Sequence, residues 1–487
     1  MSSLLDGGSD RLIAAAKWGK LPAAIRGEAE NMSVTSTLID GIAHETMLLA
    51  CAGFLLCGLD DLMLDAVYWA ARLGRWRRVA VTDLPPGARG RLAIFVPAWD
   101  EGDVIAAMLG TMLARFDDDG DFRVYVGVYP NDGATIDAVA PIASGQDRLR
   151  IVVNEAPGPT TKADCLNALW RALLRDERRE DRRALAIVLH DAEDVVHHDE
   201  LRVLRAFLTD HQVVQLPVMP IADPASPLVA GHYLDEFSEG HIRTLWARAR
   251  IGAPLPLAGV GCAIERDLLG RLAARRGGAP FDPDSLTEDY EMGLQTAMLG
   301  ARQAFARILD HRGCLVAVHE YFPATLHAAI RQKARWMTGI ALSGWDRLGW
   351  GRAADWRDHW MRMHDRRAPL AMIVLSTAYV ALIAWGASLA FHYVTGTESA
   401  PFDPLLSMLL TVNAALLVWR LTSRMLFTGR WYGWPQGLLA IVRAPVANFI
   451  ALLAARRALW QYVGTLRGRP AAWDKTAHRY PEIAPER

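Results

Sequence analysis

Six short clusters of acidic, basic and amide side chains follow one another over about 240 residues, between Val96 and Trp336. In chain order they are Val96–Glu101 (VPAWDE), Pro130–Gly133 (PNDG), Lys162–Asp164 (KAD), His190–Asp194 (HDAED), Leu286–Asp289 (LTED) and Gln332–Trp336 (QKARW). Transfer of a sugar from a nucleotide diphosphate needs groups that bind the nucleotide, hold a divalent cation, deprotonate an acceptor hydroxyl and bind pyrophosphate. The clusters supply each of these groups, so the sequence predicts sugar-nucleotide transfer.

The fourth cluster contains the candidate ligands of a divalent cation. Asp191 and Glu193 are two residues apart at the end of an apolar run, which places both on one face of a strand end. Mg2+ and Mn2+ prefer oxygen ligands, often one or two carboxylates together with phosphate oxygens. Asp194 is a third candidate ligand, although Asp194 or Asp199 can also serve as the N-cap of a helix.

The first three clusters contain the candidate groups for the nucleotide. Asp100, Glu101 and Asp132 follow apolar runs, and a carboxylate at a strand end can accept hydrogen bonds from a nucleobase or ribose. Their structural alternatives are a cap for a helix that begins near Val104 and a turn at Pro-Asn-Asp-Gly. Lys162 stands at a predicted helix start, where its charge and the backbone N–H groups favour a phosphate.

The fifth cluster supplies the candidate general base. A carboxylate beside the acceptor hydroxyl accepts its proton as the new bond forms, and Asp289 is the preferred residue for this role. Glu288 is the rival candidate, and Thr287 can cap the helix that follows.

The sixth cluster presents one helical face. Gln332, Arg335 and Trp336 stand at i, i+3 and i+4. Arginine offers a planar fork to pyrophosphate, and tryptophan offers a stacking surface for a sugar. The same pattern also suits a helix that docks at a membrane surface.

A metal-hydrolase site is the main competing interpretation of the histidines near residue 190. Its candidate residues would be His190, Asp191, His197, His198 and Asp199. Adjacent histidines are wrongly spaced for two ligands on one helical face, and the sequence contains no His-Glu-x-x-His. The spacing therefore argues against a hydrolase.

Short apolar runs alternate with amphipathic stretches from Arg91 onward, and these elements must position the clusters. We predict strands at 92–96, 122–129, 150–153 and 186–189, with helices at 103–115 and 163–176. This alternation predicts βαβ units and an α/β fold with a mostly parallel sheet. Ligands bind at the carboxyl ends of such strands, where the acidic clusters fall.

Composition limits the class of partner. The chain has 487 residues, with 53 Lys plus Arg against 54 Asp plus Glu, so no basic excess indicates a nucleic-acid partner. Its five dispersed cysteines predict reduced thiols and a cytoplasmic main domain.

Apolar residues collect in four segments, 45–59, 368–394, 405–419 and 433–455. The first predicts a membrane helix, or alternatively a surface helix, that ends at the basic run Arg72, Arg75, Arg77 and Arg78. The last is interrupted by Pro435, Arg443 and Pro445 and is either a span or an interfacial or re-entrant helix. The distribution of arginines predicts that residues 77–367 are cytoplasmic and that the 395–404 loop is outside.

These clusters resemble the motifs of the family 2 inverting glycosyltransferases, which include the membrane-embedded synthases of cellulose and hyaluronan. The family pattern is an Asp after the first strands, an Asp-x-Asp, a Thr-Glu-Asp and a Gln-x-x-Arg-Trp. It is matched at Asp132, Asp191, Asp289, and Gln332 with Arg335 and Trp336, while Glu193 stands where the family usually has the second Asp. The resemblance implies a GT-A fold, a UDP-sugar donor and a divalent cation.

Further segments resemble the phage adsorption protein B type of inner-membrane glycosyltransferase. They include Gly58–Asp61, Val67–Trp69, Lys162–Asn167, Tyr233–Glu239 and Trp473–Thr476. This resemblance implies a multi-pass bacterial inner-membrane enzyme that builds a surface glycan used by phages, with a probable outer-membrane export partner. Two alternatives are transfer of one sugar to a lipid carrier and a non-enzymatic membrane scaffold or receptor.

The resulting prediction divides the chain into six parts. They are a leader (1–44), a membrane helix (45–78), a cytoplasmic GT-A domain (90–340), an interfacial connector (341–367), transmembrane or interfacial helices (368–455) and a cytoplasmic tail (456–487).

Overall fold

The computed structural model of this chain describes residues 23–73, 79–399, 401–468 and 479–481, with side chains from residue 34 onward. Four predicted features therefore lie outside the described residues. They are the first part of the leader, the arginines Arg75, Arg77 and Arg78, the segment Trp473–Thr476 and the end of the tail.

A seven-stranded sheet forms the centre of the fold, in the strand order β3-β2-β1-β4-β7-β5-β8. Its strands are β1 (Arg91–Pro97), β2 (Phe122–Val128), β3 (Leu149–Val153), β4 (Ala184–Leu189), β5 (Val213–Gln215), β7 (Cys262–Glu265) and β8 (Gln303–Phe305). A second sheet pairs β6 (Val218–Pro220) with β9 (Val318–Glu320) in parallel. Within the large sheet only β7 runs antiparallel to its neighbours β4 and β5, so the predicted mostly parallel sheet is confirmed.

The helices are α1 (Ala23–Leu73), α2 (Ile105–Arg115), α3 (Gly133–Ser144), α4 (Lys162–Glu180), α5 (Glu200–Phe207), α6 (Gly231–Glu239), α7 (Leu245–Arg250), α8 (Arg266–Arg275), α9 (Glu288–Met298), α10 (Leu326–Trp336), α11 (Gly344–Leu348), α12 (Trp356–Arg366), α13 (Ala368–Thr395), α14 (Pro404–Tyr432) and α15 (Trp434–Leu466).

The central strands are buried on both faces, as their unbroken apolar runs require. Ile94 and Val96 of β1 pack into one core with α2, while Phe95 packs into the other with α4. The four predicted strands are present, and their ends differ from the prediction by at most two residues. Strands β5 to β9 were not predicted, because runs of three or four residues carry too little periodicity.

The order of the strands places a crevice at one edge of the sheet. The chain builds β1, β2 and β3 outward on one side and then returns to place β4 on the other side of β1. Loops that leave the carboxyl ends of β1 and β4 therefore diverge, and such a switch point is where open α/β sheets bind ligands.

Two helical segments are wound as π-helix, Gly240–Thr244 between α6 and α7 and Met337–Ser343 after α10. Wide turns of this kind are rare and often occur at functional sites.

Four stretches among the described residues are long and apolar enough to cross a membrane: Val34–Leu73, Ala368–Thr395, Pro404–Tyr432 and Trp434–Leu466. Each overlaps one of the four predicted apolar segments. The run at 405–419 belongs to a helix of 29 residues, so its apparent shortness reflects the charged second half of that helix.

The chain forms two compact units, Met1–Leu59 with Leu370–Leu417 and Asp60–Pro369 with Val418–Arg487. The described part of the first unit is helical and contains polar pairs, among them Ser388 Oγ donating to Asp40 at 2.5 Å and Asn413 Nδ2 donating to the Cys51 carbonyl at 3.1 Å. The second unit contains both sheets and every predicted site residue.

Within the second unit, α15 packs along α10 through small side chains. Ala454 and Ala458 meet Ala334, and Ile450 meets Ala329. Arg443 of α15 is fully buried; its Nη1 donates to the Gly231 carbonyl at 2.5 Å. The segment predicted at 433–455 is therefore one continuous helix that packs against α10 and α6.

Candidate active site

A cavity of about 520 Å³ reaches the carboxyl ends of β1 and β4. Most of the predicted site residues line it: Glu101, Lys162, Asp191, Glu193, Glu288, Asp289, Gln332, Arg335 and Trp336. They belong to separate stretches of the chain, and the fold gathers them around one space.

His190 fixes the loop that carries the predicted cation ligands. Its Nδ1 is 2.8 Å from Asp194 Oδ2, its Nε2 is 2.8 Å from Glu200 Oε1, and all three side chains are fully buried. Burial opposes the charge on His190, but Glu200 and Asp194 raise its pKa to about 10. The same Asp194 oxygen accepts a hydrogen bond from the Asp191 backbone at 3.0 Å. Asp194 thus holds Asp191 in place and does not itself line the cavity.

Lys162 stands at the first turn of α4 and points at the acidic loop. Helix α4 begins there because Thr161 and Asp164 form a reciprocal capping box, with Asp164 N donating to Thr161 Oγ1 at 3.1 Å. Lys162 Nζ lies 2.5 Å from Asp191 Oδ1. Burial opposes the charge of Lys162, but Asp191 and the acids of α9 raise its pKa above the usual range.

Glu288 and Asp289, the two candidates for the general base, begin α9. Burial and the neighbouring Asp289 raise the pKa of Glu288 to about 7, and burial also raises the pKa of Asp289. Gly259 has a φ of 79°, and a Cβ on it would lie 2.6 Å from Asp289 Oδ2, so glycine is needed for this close approach. A carboxylate with a raised pKa in a cavity is suited to accept a proton near neutral pH.

The face of α10 completes the cavity. Within the described residues, Gln332 Oε1 and Arg335 Nε are buried without a hydrogen-bond partner, as expected of groups that await a polar ligand. Trp336 packs beside Phe237 and Phe322, with ring centroids 6.3 and 6.4 Å away.

The loop after β1 is only partly at the cavity. Glu101 lines it, whereas Asp100 and Asp132 do not. Asp132 caps α3, because its carboxylate accepts from Thr135 N at 3.3 Å, and it also accepts from Asp100 N at 2.6 Å. Asp100 has a φ of 56°, so Asp132 stabilises a strained turn that leads to Glu101. The turn considered for Asp132 is present, because Asp132 N donates to the Tyr129 carbonyl at 3.0 Å, and the helix cap was not predicted; a contact of Asp132 with the nucleotide stays a prediction.

Glu320, at the end of β9, lines the cavity and was not among the predicted site residues. Burial, together with repulsion from Asp194, Glu193 and Asp191, raises the pKa of Glu320 well above its usual range. Its strand is only three residues long and belongs to the small sheet, so the sequence has no periodic pattern there that predicts a strand end.

Tyr290, Arg248 and Asp365 form a second unpredicted group in the cavity wall. Tyr290 Oη donates to Asp365 Oδ2 at 2.9 Å, and Arg248 Nη1 donates to both oxygens of the same carboxylate at 2.8 and 2.9 Å. The three residues are far apart in sequence and isolated, so only the fold relates them.

The residues around Asp191 fit a divalent cation. Burial is the main cause of the raised pKa of Glu320, and repulsion from Asp194, Glu193 and Asp191 adds to it; a nearby cation relieves both costs. Oxygen is the ligand atom that Mg2+ and Mn2+ prefer, and Asp191, Glu193 and Glu320 all offer it from the cavity lining. In the structure Lys162 supplies the positive charge beside Asp191.

Among the described residues, two groups have potential ligand atoms within 4.8 Å of one another, and neither contains Asp191: His197, His198 and Asp199, and Asp60, Asp61 and His364. The spacing argument against two ligands therefore does not hold for the loop at 197–199, because its residues are not on a helix. Asp199 N donates to His197 Nδ1 at 3.1 Å, and none of the three residues of this loop lines the cavity.

Comparison with known proteins relates the chain to one family. A family model described as "Glycosyltransferase like family 2" matches residues 88–339, slightly more than half of the chain. Bacteriophage adsorption protein B of Escherichia coli K12 is 33% identical across 93% of this chain. The chain spans 64% of the length of that relative.

A mannosyltransferase from Pyrobaculum calidifontis, solved with GDP-Man and Mn2+, superposes with a TM-score of 0.49 and 18% identity. The match covers 87% of this chain and 99% of the mannosyltransferase. The family match together with the mostly parallel sheet confirms the predicted GT-A fold class.

Proposed function

Since the chain belongs to glycosyltransferase family 2, we propose that it is an inverting, membrane-bound transferase that uses a UDP-sugar to build a surface or secreted polysaccharide. The supporting observation is the single cavity in which Asp191, Asp289 and Arg335 meet. These residues belong to different elements and offer cation binding, proton acceptance and pyrophosphate binding within one cavity.

The roles of the side chains follow from their positions. Asp289 accepts the proton of the acceptor hydroxyl while that oxygen forms a bond to the anomeric carbon of the donor. The bond between the anomeric carbon and the diphosphate breaks at the same time, and its electron pair leaves with UDP. Attack opposite the leaving group inverts the configuration at the anomeric carbon.

The leaving diphosphate needs positive charge. Arg335 offers a planar fork and Lys162 a point charge, both in the cavity lining. Asp191, Glu193 and Glu320 would hold Mg2+ or Mn2+, which supplies further charge neutralisation to the diphosphate when bound. Glu101 and the turn held by Asp100 and Asp132 would contact the nucleoside.

The apolar helices support placement in a bacterial inner membrane with the catalytic unit in the cytoplasm. We expect α1, α13 and α14 to cross, whereas α15 would lie along the membrane surface. The reason is that α15 buries Arg443 and a face of small residues against the catalytic unit, which a lipid-surrounded span does not do.

The E. coli relative is named for bacteriophage adsorption, which supports a glycan exposed at the cell surface as the product. A glycan made in the cytoplasm must cross two membranes to reach that surface, so an export partner in the outer membrane is part of the proposal. No nucleic acid enters it.

The test is release of UDP from a panel of UDP-sugars by the purified chain in membranes, with Mn2+ present and with excess chelator. We expect release with one sugar class, loss of release with chelator, and a product of many sugar units. A product with one lipid-linked sugar would support the single-transfer alternative. Absence of release from every UDP-sugar by a chain that folds would contradict the proposal.

A further inference from the structure

The second unit contains a larger cavity, of about 710 Å³, that shares no lining residue with the first. Its described lining contains four arginines and neither Asp nor Glu: Arg72, Arg250, Arg307 and Arg430. A cavity whose charged lining side chains, among the described residues, are all positive favours anions.

Aromatic rings organise these arginines. The guanidinium carbons of Arg307 and Arg250 lie 4.4 and 4.9 Å from the ring centroid of Trp246. Both positively charged guanidinium groups therefore contact the same indole ring. Burial and repulsion by Arg307 lower the pKa of Arg250, so an anion between the two groups would relieve an existing cost.

The position of the cavity indicates where its ligand comes from. One wall is the end of α1, with Tyr68 and Trp69, and another is the end of α14, with Phe427 and Trp431. Both helices are apolar enough to cross a membrane. Tryptophan and tyrosine concentrate at the membrane–water boundary, where lipid phosphates also lie.

We propose that this cavity binds the phosphate-bearing headgroup of an anionic membrane lipid. Arg250 and Arg307 would donate hydrogen bonds to the phosphate, and Arg72 and Arg430 would supply further charge at the mouth. Leu309, Leu426 and Phe427 would contact the apolar part next to the headgroup.

Helix α7 separates the two cavities. Its residues Leu245 and Arg248 line the active-site cavity, while Trp246 and Arg250 line the lipid cavity. Arg248 holds Asp365, which accepts from Tyr290 directly after the candidate base. A bound headgroup would therefore stabilise the helix that supports this wall of the active site.

Native mass spectrometry of the whole chain, purified from membranes that contain phosphatidylglycerol and phosphatidylcholine, tests the proposal. We expect the chain to retain one phosphatidylglycerol, and Arg250→Gln with Arg307→Gln to reduce that retention about tenfold or more. Arg456→Gln is the matched control, because this exposed arginine of α15 carries the same charge outside the cavity.

Thermal unfolding of each variant checks that it is folded, since Arg307 also donates to the Ile242 carbonyl at 3.0 Å. Equal retention of phosphatidylglycerol by the Arg250→Gln single variant and by Arg456→Gln would overturn the proposal. Saturable binding of inorganic pyrophosphate that the Arg250→Gln, Arg307→Gln variant loses, in a chain that retains no lipid, would overturn the assignment to a lipid. Lipid retention needs no turnover, so this result is independent of the proposed transfer reaction.

Discussion

The two cavities of the catalytic unit differ most in the sign of their charge. The smaller one is lined by seven acids, Glu101, Asp191, Glu193, Glu288, Asp289, Glu320 and Asp365, against the cations Lys162, Arg248 and Arg335. The larger one is lined by four arginines, and its described lining has no acid. Acids in excess suit a site that shares a cation with a diphosphate, whereas arginines alone suit direct contact with a phosphate.

The two cavities also differ in whether their side chains can accept a proton. In the acidic cavity burial, and after it repulsion between carboxylates, raises the pKa values of Glu288, Asp289 and Glu320, so that one of them can take a proton. The charged side chains in the described lining of the arginine cavity are guanidinium groups, which stay charged near neutral pH and suit binding of an anion.

The largest expected effect is at Asp289. Asp289→Asn removes the proton acceptor but keeps the shape of the side chain, so we expect the rate of transfer to fall by about 100-fold or more. UDP affinity, measured by isothermal titration, should change little. Asp284→Asn, at an exposed position outside the cavity, is the control and should keep full activity. Near-normal transfer by Asp289→Asn would move the base to Glu288.

The next effect is at Lys162, the positive charge beside Asp191. Lys162→Met leaves the acids of the cavity without this partner. Because the Lys162–Asp191 pair is partly exposed, its loss should cost less than the loss of a fully buried pair, which costs about 3 kcal/mol. We expect the variant to unfold at a lower temperature than the parent. We also expect Mn2+ to raise the unfolding temperature of the variant by more than it raises that of the parent. An Mn2+ response equal to that of the parent would show that the cation and Lys162 do not act on the same charge.

Glu320→Gln should have a smaller effect, of opposite sign. Because the folded-state pKa of Glu320 is raised, the folded chain holds a proton that the unfolded chain releases, and stability falls as pH rises above about 4.3. The glutamine variant should therefore unfold at a higher temperature than the parent at pH 7 without cation. It should also gain less from Mn2+. A lower unfolding temperature would mean that the charged form of Glu320 is stabilised in the fold.

The smallest expected effect is at the mouth of the arginine cavity. Arg430 is exposed, and its guanidinium carbon lies 4.9 Å from the Trp431 ring centroid. Arg430→Gln should weaken the affinity of the detergent-purified chain for phosphatidylglycerol about fivefold at low salt, because one arginine near an anionic headgroup contributes about 1 kcal/mol. The difference should shrink at high salt. An unchanged affinity at low salt would remove Arg430 from the mouth of the site.

Much of the acidic cavity was predictable because its chemistry follows strands. The acids at Asp191 and Glu193 come directly after β4, and parallel strands deliver such loops to one edge. Gln332, Arg335 and Trp336 were predictable from their spacing on one helix. The individual roles of Asp132 and Asp194 were not, because a capping carboxylate and a ligating carboxylate look alike in sequence.

The arginine cavity was not predictable. Arg72, Arg250, Arg307 and Arg430 lie in four distant stretches, and each reads as an ordinary basic residue. Glu320 was not predicted for the same reason. It lies near Asp191 and Glu193 because β9 pairs with β6, which is about 100 residues earlier in the chain. Residues that meet through tertiary contacts alone leave no local pattern.

Titration of UDP into the purified chain, with and without Mn2+, tests the central claim most directly. The claim is that the acids after β4 and the cations of the same cavity bind one diphosphate together. It predicts that Mn2+ tightens UDP binding about tenfold or more, that Asp191→Asn removes this gain, and that Asp289→Asn keeps it. UDP binding that is equally tight in excess chelator, or a gain from Mn2+ that survives in Asp191→Asn, would contradict it.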